Sequence, residues 1–153
     1  MVEIKIISRN RRAYHEYEIV EKVEAGIVLA GTEVKAVRNG KVNLGEGWVG
    51  ISDQGEAILK QIHISHYSHG NIYNHLEVRE RKLLLKKREI RKLAENVDRK
   101  GYSLVPLKMY IKGQMIKVQI GLGKGKKDHD KRQASKERDA KKEIDRAMKN
   151  SRF

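Results

Sequence analysis

The stretch YHEYEIVEKVEAGIVLAGTEVKAVRNG, residues 14–40, decides the fold, because a strand pattern changes into a helix pattern within it. Apolar and polar residues alternate from Tyr14 onward, and the chain becomes continuously apolar at residues 26–30. This pattern predicts one long strand, from Tyr14 to Ala30, that is first half-buried and then buried. Gly26 is expected to mark a kink or a bulge in that strand.

The second half of the stretch, GTEVKAVRNG, predicts a short helix bracketed by glycines. Val34 and Val37 are three residues apart, which places them on one helical face. Thr32 is the predicted N-cap, and Gly40 suits the C-terminal end of the helix.

The segments that follow predict two hairpins with a loop and a helix between them. Residues 47–65 read as two strands about an SDQG turn, and residues 102–122 read as two strands turning at KGQ. Pro106 favours an edge strand or a bulge in the second hairpin. The polar residues 66–81 are predicted to form a long loop. Residues 82–101 carry a helical stripe that ends at Gly101, made of Ile90, Leu93, Ala94 and Val97.

Strands joined mostly as hairpins and separated by short helices indicate a mainly β fold. We expect a small antiparallel barrel with helices packed on it, and the alternative is an open α+β sandwich. The predicted core lies between about residues 14 and 122, within a domain that spans residues 1–123.

Residues 124–153 form a separate, basic C-terminal tail with twelve basic and six acidic residues. Its few apolar residues bury too little surface to offset the entropy of folding. Four of them share one helical face: Ala140, Ile144, Ala147 and Met148. The tail is therefore predicted to be disordered when free and helical when docked.

The net charge of +14, from 34 Lys and Arg against 20 Asp and Glu, points to a polyanionic partner. Nucleic acid is favoured over a solubilising surface of thermophilic type, and over an anionic membrane, because no convincing basic amphipathic helix is present. The chain has no cysteine, which excludes disulfides and thiolate metal sites. The sequence has no signal peptide pattern and no long apolar run, so we expect a cytoplasmic protein without a membrane partner.

Enzymatic motifs are missing from the sequence. The glycine-lysine segment GLGKGKK at residues 121–127 lacks the first glycine and the hydroxyl residue of a nucleotide-binding loop. Neither a nucleophile elbow nor a zinc-protease helix occurs. Glu24 and Glu33 are conceivable as an acid/base pair, but carboxylates on a basic surface are more often structural or bonded to RNA. We predict no enzyme and no cofactor.

A histidine-rich region is a candidate for metal binding, but no metal site is predicted there. His63, His66 and His69 are three residues apart, and His75 follows. Three histidines can hold zinc, but no recognised zinc spacing or partner carboxylate motif accompanies them. A polar loop that touches RNA is the alternative, and the role of these histidines stays open.

Basic residues are interleaved with aromatic ones in RNRRAYHEY, residues 9–17, which mixes phosphate contacts with stacking surfaces. A second dense basic block lies farther along the chain, at Arg79, Arg81, Lys82, Lys86, Lys87, Arg88, Arg91 and Lys92. Together these segments indicate a structured RNA that is recognised by its shape.

Several segments, in their order along the chain, resemble the SsrA-binding protein family, called SmpB. They are NRRAYHEY (10–17), EAGIVLAGTEVKAVRNGKVNL (24–44), RKLLLKKREIRKL (81–93), KGYSLVPLKMYIKG (100–113) and KVQIGLGKGKKDHDKR (117–132). The resemblance implies an oligonucleotide-binding-like (OB-like) β-barrel flanked by helices. It further implies binding to the tRNA-like domain of transfer-messenger RNA (tmRNA) and its delivery to stalled ribosomes for trans-translation.

The same resemblance assigns residues and partners. It implies RNA binding by Glu24, Leu84 and Lys117, and motif and charge add Asn10, Arg11, Arg12, His15 and Lys35. In the tail, it implies action at the ribosomal decoding centre, beside 16S rRNA, by Gly125, Lys126, Lys127, His129, Asp130, Lys131 and Arg132.

Elongation factor Tu with alanyl-tmRNA is a further implied partner, and a monomer is expected. The alternative functions are a general structured-RNA or ribosome-associated binding protein without tmRNA specificity, and an RNA-modifying enzyme, which the missing motifs disfavour.

Overall fold

The computed structural model describes residues 3–67, 74–98, 101–126 and 142. The strands are β1 (Ile4–Arg9), β2 (Tyr17–Ile27), β3 (Val42–Asn43), β4 (Trp48–Ile51), β5 (Ala57–Lys60), β6 (His63–Ile64), β7 (Arg81–Leu84), β8 (Tyr102–Lys112) and β9 (Met115–Gly125). The helices between them are α1 (Arg11–Glu16), α2 (Gly31–Arg38) and α3 (Lys87–Val97). No helix in these described ranges is long and apolar enough to cross a membrane.

Six strands close into a ring in the order β8-β4-β5-β7-β2-β9 and back to β8, and every pairing is antiparallel. One side of the ring is long and regular, because β9 pairs along almost its whole length with both β2 and β8. The other side closes through short pairings, including the single pair Val49–Leu104 between β4 and β8. The mainly β, antiparallel prediction is confirmed, although the ring is not a uniform barrel.

The interior of the ring is filled by inward-facing apolar side chains. Leu59, Met109, Val118 and Ile120 are fully buried there, and they belong to one continuous hydrophobic cluster. Two of the helices add to the same cluster, α2 through Ala36 and Val37 and α3 through Leu93. Burial of this apolar surface is the main favourable term for the fold.

Helix α1 packs on the outer face of the long strands rather than on the core. Ala13 forms a second apolar cluster with Val105 and Leu107 of β8. Two glycines of β9 provide the space: a Cβ at Gly121 would lie 2.7 Å from the Leu107 side chain, and a Cβ at Gly123 would lie 2.7 Å from Tyr17. These glycines therefore let the outer cluster sit directly on the sheet.

The long strand differs from its prediction at both ends. It begins at Tyr17 rather than Tyr14, because residues before it form α1. Its irregularity lies between Ile19 and Glu21, so the prediction of a kink at Gly26 is wrong. Gly26 stays in register between its two neighbouring strands, and the strand ends at Ile27, one residue before the exposed Val28.

The predicted helix after this strand is present as α2, with a different N-cap. Ala30, which has extended backbone before the first helical residue, is the N-cap, and its N–H donates a hydrogen bond of 2.9 Å to the Glu33 carboxylate. Thr32 instead lies inside the helix, and its hydroxyl contacts His75 at 2.8 Å. Gly40 adopts φ of +75°, as a glycine after a helix C-terminus does.

Three strands were not predicted: β1, the two-residue β3 and β7. β1 lies in the N-terminal segment, β3 follows α2, and β7 begins at the last residue of the predicted loop and continues into residues 82–101, for which the sequence predicts a helical stripe that ends at Gly101. In β7 the buried residues are Arg81 and Leu83, and the exposed ones are Lys82 and Leu84. Polar residues are usually exposed and apolar residues buried, but here an arginine is buried and a leucine is exposed. The sequence therefore does not show the alternation of apolar and polar residues that indicates a half-buried strand.

Both predicted hairpins are confirmed, as β4–β5 and as β8–β9. Pro106 adjoins a register shift between Pro106 and Lys108, which confirms the expected bulge. In the predicted loop, residues 74–80 contain no regular element, and residues 68–73 lie outside the described ranges. The tail prediction also falls outside the described residues, apart from residues 124–126 and 142.

A buried ion pair joins α2 to β7. Glu33 and Arg81 are both 0% exposed, and the Arg81 Nε donates to Glu33 Oε2. The remaining guanidinium N–H groups reach main-chain oxygens, among them those of Ile62 and Glu77, each at 3.2 Å. Burial alone would raise the pKa of Glu33, but hydrogen bonds from Arg79, the Ala30 amide and Arg81 together hold that pKa below its usual value.

Replacing Arg81 by Leu tests this pair. The variant leaves the buried carboxylate with only Arg79 and the Ala30 amide as donors, and it leaves several carbonyls without theirs, so we expect the free energy of unfolding in urea to fall by about 3–5 kcal/mol. Lys82→Leu is the matched control, since Lys82 is exposed and its ammonium lies 3.3 Å from Glu56 at the surface. Its cost should stay below about 1 kcal/mol. Equal costs for the two variants would contradict a structural role for the pair.

Candidate RNA interface

The outer surface of β1, β8, β9, β2 and the end of β7, here called the open face, holds side chains in rows set by strand register. The first row runs through Ile6, Tyr110, Lys117, Gly26 and Leu84, one residue per strand. Directly opposed residues in an antiparallel pair point to the same side of the sheet. Lys117 and Leu84 therefore stand on either side of Gly26.

Gly26 brings Leu84 close to the rest of the row. A Cβ added at Gly26 would lie 3.2 Å from the Leu84 Cβ, so the leucine packs where a side chain would otherwise be. Leu84 is nonetheless 53% exposed, and Met115 is exposed nearby across a depression of about 240 Å³ that both residues line. The open face thus has an apolar end at Leu84.

The second row lies beside the first and contains Arg9, Lys108, Gln119 and Glu24. A third row, on the other side of the first, contains Ile4, Lys112 and Met115. Glu24 is two residues from Gly26 along β2, and opposed positions on neighbouring strands lie about 5 Å apart. Glu24, Leu84 and Lys117, which come from three distant segments of the sequence, therefore share one surface.

Glu24 is held by two groups from β8. The Tyr110 hydroxyl donates to Glu24 Oε2 at 2.5 Å, and the Lys112 ammonium lies 3.3 Å from Oε1. The Tyr110 hydrogen bond lowers the pKa of Glu24; Lys112 and Lys117 lower it further, against the opposing effect of burial. Burial and the Glu24 contact raise the pKa of Tyr110. At neutral pH the carboxylate is therefore ionised and the phenol is its donor.

The open face is strongly cationic around this single carboxylate. Its three rows and their margin with α1 carry Arg9, Arg11, Lys22, Lys108, Lys112 and Lys117. A cavity of about 410 Å³ opens at this margin, lined by Arg11, Lys22 and the exposed ring of Tyr14 among others. The Lys22 ammonium lies 5.8 Å from the centre of that ring. Cations next to an exposed aromatic ring suit phosphate binding with base stacking.

Two predicted residues at the start of α1 are not on the open face. Asn10 is buried: its side-chain amide donates to the Pro106 and Leu44 carbonyls, and its Oδ1 accepts from the Ala13 N–H as the N-cap of α1. Any influence of Asn10 on RNA would be exerted through the position of α1. Arg12 is exposed and forms ion pairs with Glu16, at 2.9 Å, and with Glu46.

The remaining predicted body residues lie on helices. Lys35 is exposed on α2, and its ammonium lies 5.2 Å from the centre of the Tyr67 ring. His15 is half-buried on α1. Neither belongs to the three rows, so their predicted contacts with RNA would extend the interface beyond the sheet.

The start of the tail is anchored beside α1. Gly125 is the last residue of β9, and its N–H donates to the Gly101 carbonyl at 2.9 Å. The Lys126 N–H donates to the Glu16 carbonyl at 2.9 Å, and its ammonium donates to the Tyr14 carbonyl at 3.0 Å. The other predicted tail residues lie outside the described ranges: Lys127, His129, Asp130, Lys131 and Arg132.

In the described ranges, His63, His66 and His75 are linked by pairwise contacts that do not form a metal site. His63 and His66 both face Glu77, at 2.9 and 3.7 Å, and the His66 ring meets the His75 ring edge to face, with centroids 5.7 Å apart. The buried His75 also contacts Thr32 and the Ile64 carbonyl. His69 lies outside the described residues. Among residues 3–67, 74–98 and 101–126, no group of three or more His, Asp or Glu side chains is arranged to hold a metal ion.

The basic block and the conceivable acid/base pair also need correction. Arg79 and Arg81 belong to the network around Glu33, and Arg81 is fully buried, so it is not part of a basic surface. Glu33 is enclosed by that network, whereas Glu24 is bonded to Tyr110 and Lys112 on the open face. The two carboxylates therefore do not form an acid/base pair.

Sequence reasoning missed Tyr110, Lys108 and Lys112, which complete the surroundings of Glu24. Their signal was available in the predicted second hairpin. Its KGQ turn fixes the register, which pairs Tyr110 with Lys117 and Lys112 with Met115. Extending that register along the hairpin would have placed all three residues on the same face as Lys117.

Tyr110→Phe should raise the pKa of Glu24 towards its usual value, because it removes the strongest interaction that lowers it. Carbon-detected NMR titration of the Glu24 carboxyl group measures this change directly. The folded-state pKa lies below the unfolded one, so the small stabilisation from this exposed carboxylate is lost as pH falls through the folded-state value. Tyr102→Phe, at the other end of β8, should leave the titration unchanged. An unchanged pKa in Tyr110→Phe would show that the hydroxyl does not hold the carboxylate.

Comparison with known proteins gives a consistent result over the whole chain. The SmpB protein family model matches residues 7–150. The chain is 51% identical to an SsrA-binding protein of Enterococcus faecalis over 98% of this chain and 97% of that protein, and 55% identical to one of Thermosynechococcus vestitus over 95% and 96%. An SsrA-binding protein of Bacillus subtilis is 51% identical over 96% of this chain and 94% of that protein.

A solved structure, described as "tmRNA-SmpB: a journey to the center of the bacterial ribosome", contains a chain with a similar fold. The two chains superpose with a TM-score of 0.67 at 47% identity, over 79% of this chain and 85% of the other. The family match, the close relatives and the shared fold agree: this chain belongs to the SmpB family of SsrA-binding proteins.

Proposed function

We propose that this chain binds the tRNA-like domain of tmRNA through its open face and acts with that RNA on stalled ribosomes in trans-translation. The observation that carries the proposal is the convergence of Glu24, Leu84 and Lys117 on one cationic surface. Relatives named SsrA-binding protein, and the fold shared with a chain of a tmRNA-SmpB structure, support tmRNA and the ribosome as partners.

The open face suits a folded RNA whose backbone follows its surface. Arg9, Lys108 and Lys117 provide cations for phosphates in adjacent rows. Glu24 provides an acceptor for base or ribose donors, and Leu84 provides an apolar contact. This combination positions a structured RNA by shape, with few base-specific contacts.

The tail would act on the ribosome rather than on tmRNA. The bond of Gly125 to Gly101 and the bonds of Lys126 to α1 fix the start of the tail, so that it leaves the RNA-binding body from a defined point. From there, Lys127, His129, Asp130, Lys131 and Arg132 would engage the decoding centre and 16S rRNA, with the following residues helical in the empty mRNA path. Elongation factor Tu would deliver the monomeric protein together with alanyl-tmRNA in the cytoplasm.

Neither catalysis nor a cofactor is needed for this role, which is that of an RNA-binding factor. The second candidate is a general structured-RNA or ribosome-associated protein without tmRNA specificity, since the same cationic face would serve it. The two functions differ in how strongly ordinary tRNA competes.

Competition binding separates these candidates. Labelled tRNA-like domain of tmRNA is titrated with the protein against excess ordinary tRNA over a salt series. We expect the preference for the tmRNA domain to persist near physiological salt, because shape recognition does not depend on counterion release alone. Free exchange with tRNA, with affinity falling by about 10³ or more as salt rises, would favour the general binder.

Lys117→Gln in the same assay tests the open face itself. Loss of one phosphate contact should weaken binding to the tmRNA domain several-fold and reduce the salt slope by about 1. Lys60→Gln is the control, because Lys60 lies on β5, with its ammonium 4.8 Å from the centre of the Trp48 ring and 3.5 Å from Glu80. A larger effect at Lys60 than at Lys117 would place the interface elsewhere.

Substitutions in the tail should separate binding from tagging. The triple variant His129→Ala, Lys131→Ala and Arg132→Ala keeps the whole open face, so binding to the tmRNA domain should change less than about threefold. Peptide tagging on stalled ribosomes in a reconstituted translation system should be lost. Parallel loss of binding and tagging would contradict separate roles for the body and the tail.

A further inference from the structure

The position of Glu24 poses a physical problem for an RNA-binding surface. It is the single carboxylate within the three rows of the open face, and an ionised carboxylate repels phosphate. Its side chain is nevertheless 38% exposed, so it faces an approaching ligand. A carboxylate at this place is compatible with tight binding when it accepts hydrogen bonds that offset the repulsion.

The bonds within the protein leave one acceptor position of Glu24 open and a second one only weakly occupied. A carboxylate has about four acceptor positions, two on each oxygen. Tyr110 takes one position on Oε2, and the Lys112 ammonium lies 3.3 Å from Oε1 and 3.5 Å from Oε2. Oε1 therefore retains one open position, and the second position on Oε2 is taken only by the 3.5 Å contact with the Lys112 ammonium, the longest of the three. When the flexible Lys112 side chain turns away from Oε2, towards an RNA phosphate, the two oxygens form a fork that accepts two adjacent N–H groups.

Guanine is the RNA base whose Watson–Crick edge offers two adjacent donors, N1–H and the N2 amino group. Adenine and cytosine each offer a single amino group on that edge, and uracil offers a single imino N–H. In structured RNA this edge is accessible at unpaired, unstacked nucleotides. The fork of Glu24 thus matches an unpaired guanine better than any other standard base.

Tyr110 decides how that fork is oriented. Its side chain is 4% exposed and lies under the Lys108 ammonium, which is 5.4 Å from the ring centre, so the hydroxyl is fixed within the sheet. Lys112, in contrast, is a flexible, partly exposed ammonium. The short Tyr110 hydrogen bond is therefore the contact that sets the direction of the carboxylate.

We propose that Glu24, oriented by Tyr110, accepts the N1–H and N2 amino donors of an unpaired guanine in the bound RNA. Tyr110 acts here as a positioning residue, because it reaches the RNA only through Glu24. This inference deepens the proposed function and rests on it, since it concerns the base read by the open face once the tRNA-like domain is bound.

Inosine interference tests the proposal with the full-length protein. The tRNA-like domain of tmRNA is transcribed with a low fraction of phosphorothioate-tagged inosine, which lacks the N2 amino group of guanine. Bound and unbound RNA are separated and cleaved with iodine, and each position is compared with a tagged-guanosine control. We expect inosine at one or a few unpaired guanines to be depleted about tenfold from the RNA bound by the wild-type protein.

The variants assign that interference to specific side chains. Glu24→Gln should abolish it, because the amide offers only one acceptor oxygen. Tyr110→Phe should reduce it by about threefold or more, because the carboxylate loses its fixed direction. Tyr102→Phe, a hydroxyl deletion at the far end of the same strand, should match wild type. If Tyr110→Phe fails to fold, Glu24→Gln still tests the guanine contact. Tyr110→His then tests the positioning role, because its polar ring is too short to reach Glu24 as the Tyr110 hydroxyl does.

Several results would overturn the proposal. The guanine contact fails if no unpaired guanine shows interference, or if Glu24→Gln keeps the wild-type pattern. A different result would assign the Glu24 carboxylate to a ribose hydroxyl instead of a guanine. In that case 2′-deoxy nucleotides, and not inosine, would interfere with binding to the wild-type protein, and this interference would disappear in Glu24→Gln. A wild-type pattern in folded Tyr110→Phe would refute the positioning role. Binding to the tmRNA domain without inosine interference refutes only this inference, whereas failure to prefer that domain over tRNA refutes the proposed function.

Discussion

The buried ion pair between Glu33 and Arg81 is the constraint on which the rest of the structure depends. β7 pairs with β2 and with β5 through only two residue pairs each, so strand pairing alone holds it weakly in place. Arg81 begins β7, and Glu33 lies on α2, which follows β2 directly. Burying these charges is costly unless both stay paired. The pair therefore fixes the position of β7 and closes the ring between its long and short sides.

The functional surface inherits its geometry from that closure. With β7 fixed, Leu84 packs over Gly26, and Gly26 lies opposite Lys117, so side chains from three strands share one row. The β8–β9 hairpin adds Tyr110 to the same row, where its hydroxyl orients Glu24. A rigid sheet holds such groups more precisely than loops do, which suits recognition of RNA by shape.

Much of this arrangement could be predicted from the sequence, and the failures have physical causes. Alternation and turn residues predicted both hairpins, the short helix after β2 and the bulge near Pro106. The strand β7 was missed because Arg81 is buried and Leu84 exposed, a reversal that only the distant Glu33 explains. The resemblance to a family supplied Glu24, Leu84 and Lys117, but their common row depends on long-range register, which one sequence does not reveal.

We infer that the open face, and not the opposite side of the ring, binds the RNA. NMR chemical-shift mapping tests it most directly, by titrating the isotope-labelled protein with the tRNA-like domain of tmRNA. The sequence has one tryptophan, Trp48, whose side chain lies beside Lys60 away from the three rows, so its indole signal reports on the other side. We expect the largest changes at Leu84, Lys117 and Gln119, with the indole signal nearly unchanged. Large chemical-shift changes at Trp48, with no changes on the open face, would contradict binding of the RNA to that face.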